Sequence, residues 1–137
     1  MSDKRPFLDT NVLLYALSED ARKADRVEEL LKAGGVVSVQ VLNELASVAR
    51  RKLGMKWAEI KDALGVVREL CTVTPLTLDI HDHALTLAER YGFSIYDASI
   101  VSAALAAGAE TLYTEDLQDG QRLEGRLVIV DPFRGGR

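Results

Sequence analysis

The sequence predicts an α/β domain of three layers, with helices on both faces of a mostly parallel central sheet of four to five strands. Short apolar runs recur between longer segments of helical period, so strands and helices alternate along the chain. A length of 137 residues is enough for one buried core and short for two. The hydrophobic share of 47% beside a charged share of 28% is that of an ordinary soluble globular protein. No internal repeat, low-complexity stretch or interior linker interrupts the pattern. Residues 1–137 are therefore read as one domain, with 134–137 as a frayed tail.

The elements follow in order. Phe7-Leu8-Asp9 reads as a short buried strand ending at Asp9, with a tight turn at Thr10-Asn11 opening a helix. Ser18-Glu19-Asp20 breaks that helix and starts another, on which Ala24, Val27, Leu30 and Leu31 fall at helical spacing until Gly34-Gly35. Val36-Val37-Ser38-Val39 is β-branched and apolar, a second strand, and passes into a helix over 40–53 that Gly54 ends. Trp57, Ile60, Leu64, Val67 and Leu70 give the period of a helix over 56–71. A third strand spans 72–76, where Pro75 marks a sheet edge or a strand end. Thr77 caps a helix that stops at Gly92. Ser94 opens a helix rich in alanine and serine, expected to be the most buried because small side chains permit close approach, and Gly108 ends it. Residues 111–114 and 127–130 complete the strands, with a polar loop over 115–120.

Bulk features exclude several classes. The one cysteine, Cys71, forms no internal disulfide and is read as a packed thiol in an apolar helical pattern. No apolar run approaches the roughly 20 residues of a membrane span, and Asp9 interrupts the stretch that a signal peptide would need uncharged, so a cytoplasmic location is expected. A net charge of −4 argues against general adhesion to nucleic acid but allows a local basic surface.

Four acids stand where an open α/β sheet collects its ligands, past the carboxyl ends of the strands. Asp9 follows the first strand and Asp116 the fourth; Glu44 lies early in the helix after the second; Asp97 lies in the first turn of the small-residue helix. Each also has a bland reading. Asp9 suits a helix cap, Asp97 follows Ser94 at capping-box spacing, and Asp116 suits a solvated loop. Glu44 shares a stripe with Val41 and Val48, and a carboxylate buried there needs a partner. Together they make a crevice whose acids repel one another unless a cation neutralises them. With no His or Cys at these positions, the donors are all oxygen, which favours Mg²⁺ or Mn²⁺ over Zn²⁺. Such a site suits metal-assisted hydrolysis of a phosphodiester.

With those residues in view, the chain resembles the PIN-domain ribonucleases, specifically the VapC toxin group of bacterial and archaeal toxin–antitoxin systems. The stretches that carry the resemblance are Phe7-Leu8-Asp9-Thr10-Asn11-Val12-Leu13-Leu14-Tyr15-Ala16, Gln40-Val41-Leu42-Asn43-Glu44-Leu45, Ser94-Ile95-Tyr96-Asp97-Ala98 and Leu112-Tyr113-Thr114-Glu115-Asp116-Leu117-Gln118-Asp119-Gly120, with Pro132-Phe133 at the end. The resemblance implies a PIN-like fold and a metal site built from Asp9, Glu44, Asp97 and Asp116, which would also be the catalytic residues. Thr114 matches a supporting Ser/Thr position. Asn11 matches the polar residue that orders the first turn, and an Asn11 cap would free Asp9 to face the metal. Asp119 either joins the acidic cluster or serves the turn before Gly120. The resemblance further implies endonucleolytic RNA cleavage leaving 5′-phosphate and 3′-hydroxyl ends, a homodimer, and a VapB-type antitoxin that blocks the site.

Other features carry less. His81 and His83 point roughly 200° apart on a helix and are read as surface residues rather than a metal pair. Arg50, Arg51, Lys52 and Lys56 are candidate RNA contacts, or equally a solvated helix end. The first helix, with Leu13, Leu14 and Leu17, is read as core with some surface left for a dimer or antitoxin partner. A phosphatase using Asp9 as nucleophile would need a second acid at position 11, which is asparagine, and a lysine after a later strand. A response-regulator receiver fails similarly, since the 72–76 strand ends without a phosphorylatable Asp. A PIN fold kept only for binding would be favoured by a missing acid, and none is missing.

Overall fold

The computed structural model describes residues 4–134. The first strand, β1 (Phe7–Leu8), has only two residues, both fully buried. Asp9 lies one residue past it, and α1 (Thr10–Leu14) starts at once, so no separate turn intervenes at Thr10-Asn11. A single 3₁₀ turn (Tyr15–Leu17) extends α1. Asp20 then accepts a hydrogen bond from the Lys23 N–H and caps α2 (Ala21–Ala33), which buries Val27, Leu30 and Leu31.

Strand β2 (Gly35–Ser38) begins at Gly35 for a steric reason. A Cβ there would stand 3.1 Å from both the Pro6 carbonyl oxygen and Leu8 Cδ1, so a bare glycine lets β2 lie against β1. The Ser38 hydroxyl accepts from the Val41 N–H and opens α3 (Val39–Arg51) one residue earlier than the sequence suggested. Next come α4 (Trp57–Leu70), β3 (Cys71–Thr74), α5 (Leu78–Tyr91) and α6 (Ile95–Ala106), followed by β4 (Thr111–Tyr113), β5 (Arg122–Leu123) and β6 (Leu127–Val130). Thr77 and Ser94 cap α5 and α6 through the Ile80 and Asp97 N–H groups. Every residue from Ala98 to Leu105 is buried, making α6 the most buried helix, and its Ser102 hydroxyl donates to the Ile80 carbonyl of α5 at 2.8 Å.

The sheet has six strands in the order β3-β2-β1-β4-β6-β5, parallel except for β5. The expected count of four to five is thus one short. The addition, β5, is two residues long and pairs antiparallel with β6 across a turn with positive φ at Glu124 and Gly125. Tyr91 and Arg90 of α5 hold the Glu124 carboxylate, which steadies that unusual backbone. β3 is the edge strand anticipated from Pro75, but it begins at Cys71, so the buried thiol belongs to a strand rather than a helix.

Chain direction fixes the layers. From β1 the chain steps outward to β2 and β3, then returns across the sheet to β4. Right-handed crossovers put the helices of the outward steps, α1 to α4, on one face and those of the return, α5 and α6, on the other. The packing agrees: α1 with α3, α2 and α3 with α4, and α5 with α6. The reversal between β1 and β4 is a topological switch point, where the carboxyl ends of two neighbouring strands leave a crevice. Among the described residues, no helix is long and apolar enough to cross a membrane. Of the expected frayed tail, only Arg134 lies within the described residues, and it donates to Asp119.

Candidate functional site

Asp9 sits at that switch point and is 5% exposed. Its backbone N–H reaches across to the Tyr113 carbonyl at the end of β4, and its carbonyl accepts from Val12 and Leu13. One carboxylate oxygen accepts from the Thr10 N–H at 2.7 Å; the other accepts from the Thr114 hydroxyl at 2.8 Å and Asn11 Nδ2 at 3.2 Å. Asp9 therefore caps α1 itself, and its second carboxylate oxygen is held by Thr114 and Asn11 behind the crevice wall that Thr10 and Asn11 line. Asn11 does not take over the cap. Its amide bridges Asp9, the Thr114 hydroxyl at 3.0 Å and the Glu115 N–H at 3.1 Å, tying α1 to the loop after β4.

The other acids arrive from three elements. Glu44, half-buried on α3, accepts from the Thr10 hydroxyl at 2.7 Å and from Gln40 Nε2 at 3.3 Å. Asp97 lies in the first turn of α6. Asp116 is exposed in the loop after β4, and its N–H donates to the buried Thr114 hydroxyl at 3.1 Å. Thr114 thus holds Asp9 with its proton while its oxygen orders the Asp116 backbone.

The charges of Asp116 and Glu44 act on both Asp9 and Asp97. Burial pushes the Asp9 carboxyl up to about 6, and the charges of Asp116 and Glu44 push it the same way against the hydrogen bonds from Thr114 and Thr10. Asp97 is also raised, first by burial and then by Asp116 and Glu44, against its Ser94 bond. Among the described residues, none of the four forms an ion pair.

The donor chemistry fits a hard divalent ion, since the four positions offer only oxygen and a cation would offset the burial, and the lesser repulsion, that raise Asp9. The carboxylates nevertheless stand apart: among the described residues, no three His, Cys, Asp or Glu side chains converge tightly enough to hold a metal ion.

Several neighbours sort themselves differently from the sequence reading. Asp119 does not join the cluster. Its carboxylate accepts from the Asp131 N–H at 2.7 Å and from Arg134, pinning the loop to the end of β6. Glu115 turns away as well, to the Tyr15 hydroxyl at 2.8 Å and Lys23 Nζ at 2.9 Å, and Lys23 also lies over the Tyr15 and Phe133 rings. Of the basic group, Arg51 alone lines the cavity of about 340 Å³ beside Thr10, Glu44 and Asp116. Arg50 donates to the Met55 carbonyl and covers Trp57, Lys52 ends α3, and the Lys56 N–H caps α4 with Glu59. His81 lines a cavity beside Glu44 whereas His83 faces Glu124, so the two do not pair. Sequence reasoning missed Thr10, which links Asp9 to Glu44, and Gln40. The second had a signal, because it precedes Glu44 by four residues on one helix face.

The model of the PIN domain family matches residues 7–119, from β1 to the loop after β4. A Klebsiella pneumoniae toxin–antitoxin complex includes a chain similar to this one at a TM-score of 0.69 and 19% identity, with 93% of this chain and 97% of that chain covered. The VapBC2 complex of Rickettsia felis, bound to a promoter DNA fragment, gives 0.64 and 24%, covering 90% and 96%. The sarcin–ricin loop-cleaving toxin VapC20 of Mycobacterium tuberculosis gives 0.63 and 20%, covering 81% and 89%. No curated protein matches the sequence. The match to the family model spans most of the sheet and all four acids, and the chain belongs to the PIN-domain family.

Proposed function

We propose that this chain is a Mg²⁺- or Mn²⁺-dependent endoribonuclease and the toxin of a VapBC-type pair, folded as a single PIN domain over 1–137. Asp9, Glu44, Asp97 and Asp116 would hold the metal and carry catalysis. Thr114 and Asn11 would fix Asp9, and Arg51 would meet an RNA phosphate, with Arg50, Lys52 and Lys56 further out. The observation that carries this reading is the buried Asp9 at the switch point, raised to about 6 in the company of Glu44 and Asp116 with no cation partner among the described residues. Burying a carboxylate among like charges is costly, and a site that does so is a candidate for chemistry rather than structure.

When bound, a divalent ion activates water and stabilises charge building on the phosphate and the leaving oxygen. The chain's own contribution is orientation. Thr10 couples the Asp9 and Glu44 carboxylates through one backbone and one hydroxyl donor, and Thr114 sets the start of the Asp116 loop against Asp9. The neighbours' names support a cleaving toxin and a partner antitoxin of the VapB type. A homodimer in the cytoplasm, with no membrane association, completes the proposal.

The test is cleavage of RNA by the pure protein with mapping of the new ends. Cleavage that EDTA abolishes and Mg²⁺ restores, with 5′-phosphate ends and no activity in Asp9→Asn, is expected. Activity indifferent to chelator, or full activity of folded Asp9→Asn, overturns the assignment.

A further inference from the structure

The acid-lined crevice has a second chamber. A cavity of about 520 Å³ opens between the N-terminal turns of α3 and α6 and the N-terminal half of α5. Glu44 and Ser47 line both this cavity and the one that holds Thr10, Arg51 and Asp116, so the two chambers meet at an acid of the candidate site.

Its walls are of two kinds. Leu76, Ile95 and Tyr96 give an apolar side, while Gln40, Asn43 and His81 give a polar one. Tyr96 is 69% exposed, a large aromatic left in solvent directly before Asp97. Among the described residues, neither the Tyr96 phenol nor the exposed Asn43 amide makes a hydrogen bond, so a flat ring face and a donor–acceptor edge are both unengaged. Gln40, by contrast, is fixed: its Nε2 donates to Glu44 Oε2 at 3.3 Å and to the Tyr96 carbonyl at 3.2 Å, locking the chamber's floor to the acid.

We propose that this chamber receives one unpaired nucleobase next to the phosphate that is cut, with the base stacked on Tyr96 and its edge read by Asn43. The inference rests on the ribonuclease reading and adds to it a base-binding subsite formed by Tyr96 and Asn43. The volume lies in the range of small-ligand pockets, roughly 300–1,000 Å³. An aromatic face with an amide at its rim is how proteins hold a splayed base, whereas a base inside a duplex offers no free face. Arg51 in the adjoining chamber supplies the cation for the flanking phosphate.

The test is binding, measured in the Asp9→Asn background with Mg²⁺ so that the strand stays intact. The probe is a short fluorescein-labelled single-stranded RNA of mixed sequence, used intact and with one abasic nucleotide walked along it. Adding Tyr96→Ala should weaken binding of the intact strand about 5- to 150-fold, the range for losing one stacked base. An abasic nucleotide at one position should abolish that difference, and Tyr96→Phe should retain binding. Tyr96 is exposed, so its replacement threatens no core packing. Absence of binding by the parent, unchanged affinity in Tyr96→Ala, or a loss that no abasic position removes would overturn the inference. Cleavage by the unmodified protein, scored separately, decides the ribonuclease reading. A base-dependent Tyr96 effect without any cleavage would keep the chamber and remove the enzyme.

Discussion

Two acidic regions of this molecule meet opposite electrostatic fates. In the turn between β5 and β6, Glu124 faces Arg90 and the Tyr91 hydroxyl, and those partners hold its carboxyl below the usual range. At the switch point Asp9 is buried beside Glu44 and Asp116 and is pushed up to about 6. Within one loop the same contrast recurs at residue spacing: Glu115 is matched by Lys23 and Asp119 by Arg134, while Asp116 between them has no ion pair among the described residues. Glu115, Asp119 and Glu124 carry their cation with them. The acids at the crevice do not, and this is the difference expected if their cation comes from solution.

The sharpest way to break that contrast is Asp9→Asn. Cleavage should fall by at least about a hundredfold, more than the loss of an outer supporting partner brings. Stability should move the other way. The folded Asp9 carboxyl titrates near 6 and its ordinary value is 3.8. Because the folded pKa is raised, the native state binds the proton more tightly, and metal-free stability falls as pH rises from about 4 through about 6. At roughly 1.4 kcal/mol per pH unit the full difference is about 3 kcal/mol, so Asp9→Asn in EDTA at pH 7 should be more stable than the parent by about 1–3 kcal/mol. Urea melts at pH 4, 5, 6 and 7 check the sign: the parent should lose stability relative to Asp9→Asn as pH rises through about 6.

Thr114→Val is next in size. It keeps the shape of a fully buried side chain but removes the donor to Asp9 and the acceptor for Asn11 and Asp116. Activity should drop about 10- to 100-fold. Stability should fall by about 1–3 kcal/mol as buried polar groups lose their partner, which denaturant melts would read. Lys23→Met probes the matched side of the contrast. The pair with Glu115 is partly exposed, so after solvent screening the cost is about 0.5–1 kcal/mol, with activity within a few-fold of the parent. Asp119→Asn should have the smallest effect, leaving turnover unchanged, since that residue holds the end of β6 rather than the site. A large loss of turnover there would erase the distinction drawn within the loop.

Much of this was readable before any coordinates. Asp9 and Asp116 follow parallel strands, and strand polarity alone sends both to one edge; Asp97 lies in the first turn of a helix that starts there, and Glu44 in the second turn of another. What escaped was whatever depends on remote partners. Glu115, Asp116 and Asp119 are indistinguishable as letters, because Lys23 lies 92 residues from Glu115 and Arg134 follows two further strands. β5 was invisible because two residues carry no periodicity. Cys71 was read as helical because Val67, Leu70 and Cys71 continue the spacing of α4, and only pairing of Cys71 with Gly35 makes it a strand. Of the cap and ligand readings of Asp9, the cap is seen directly in its bond from the Thr10 N–H, and the ligand role belongs to the proposal.

The most direct test of the central claim needs no RNA. Mn²⁺ titrated into the metal-free protein, followed by calorimetry and thermal melting at pH 7, should bind and raise the melting temperature, and binding should weaken as pH falls through about 6, where Asp9 takes up its proton. Asp9→Asn should lose most of both responses while remaining folded. Equal binding by the parent and Asp9→Asn, or no response in the parent, would contradict the claim that these acids await a cation.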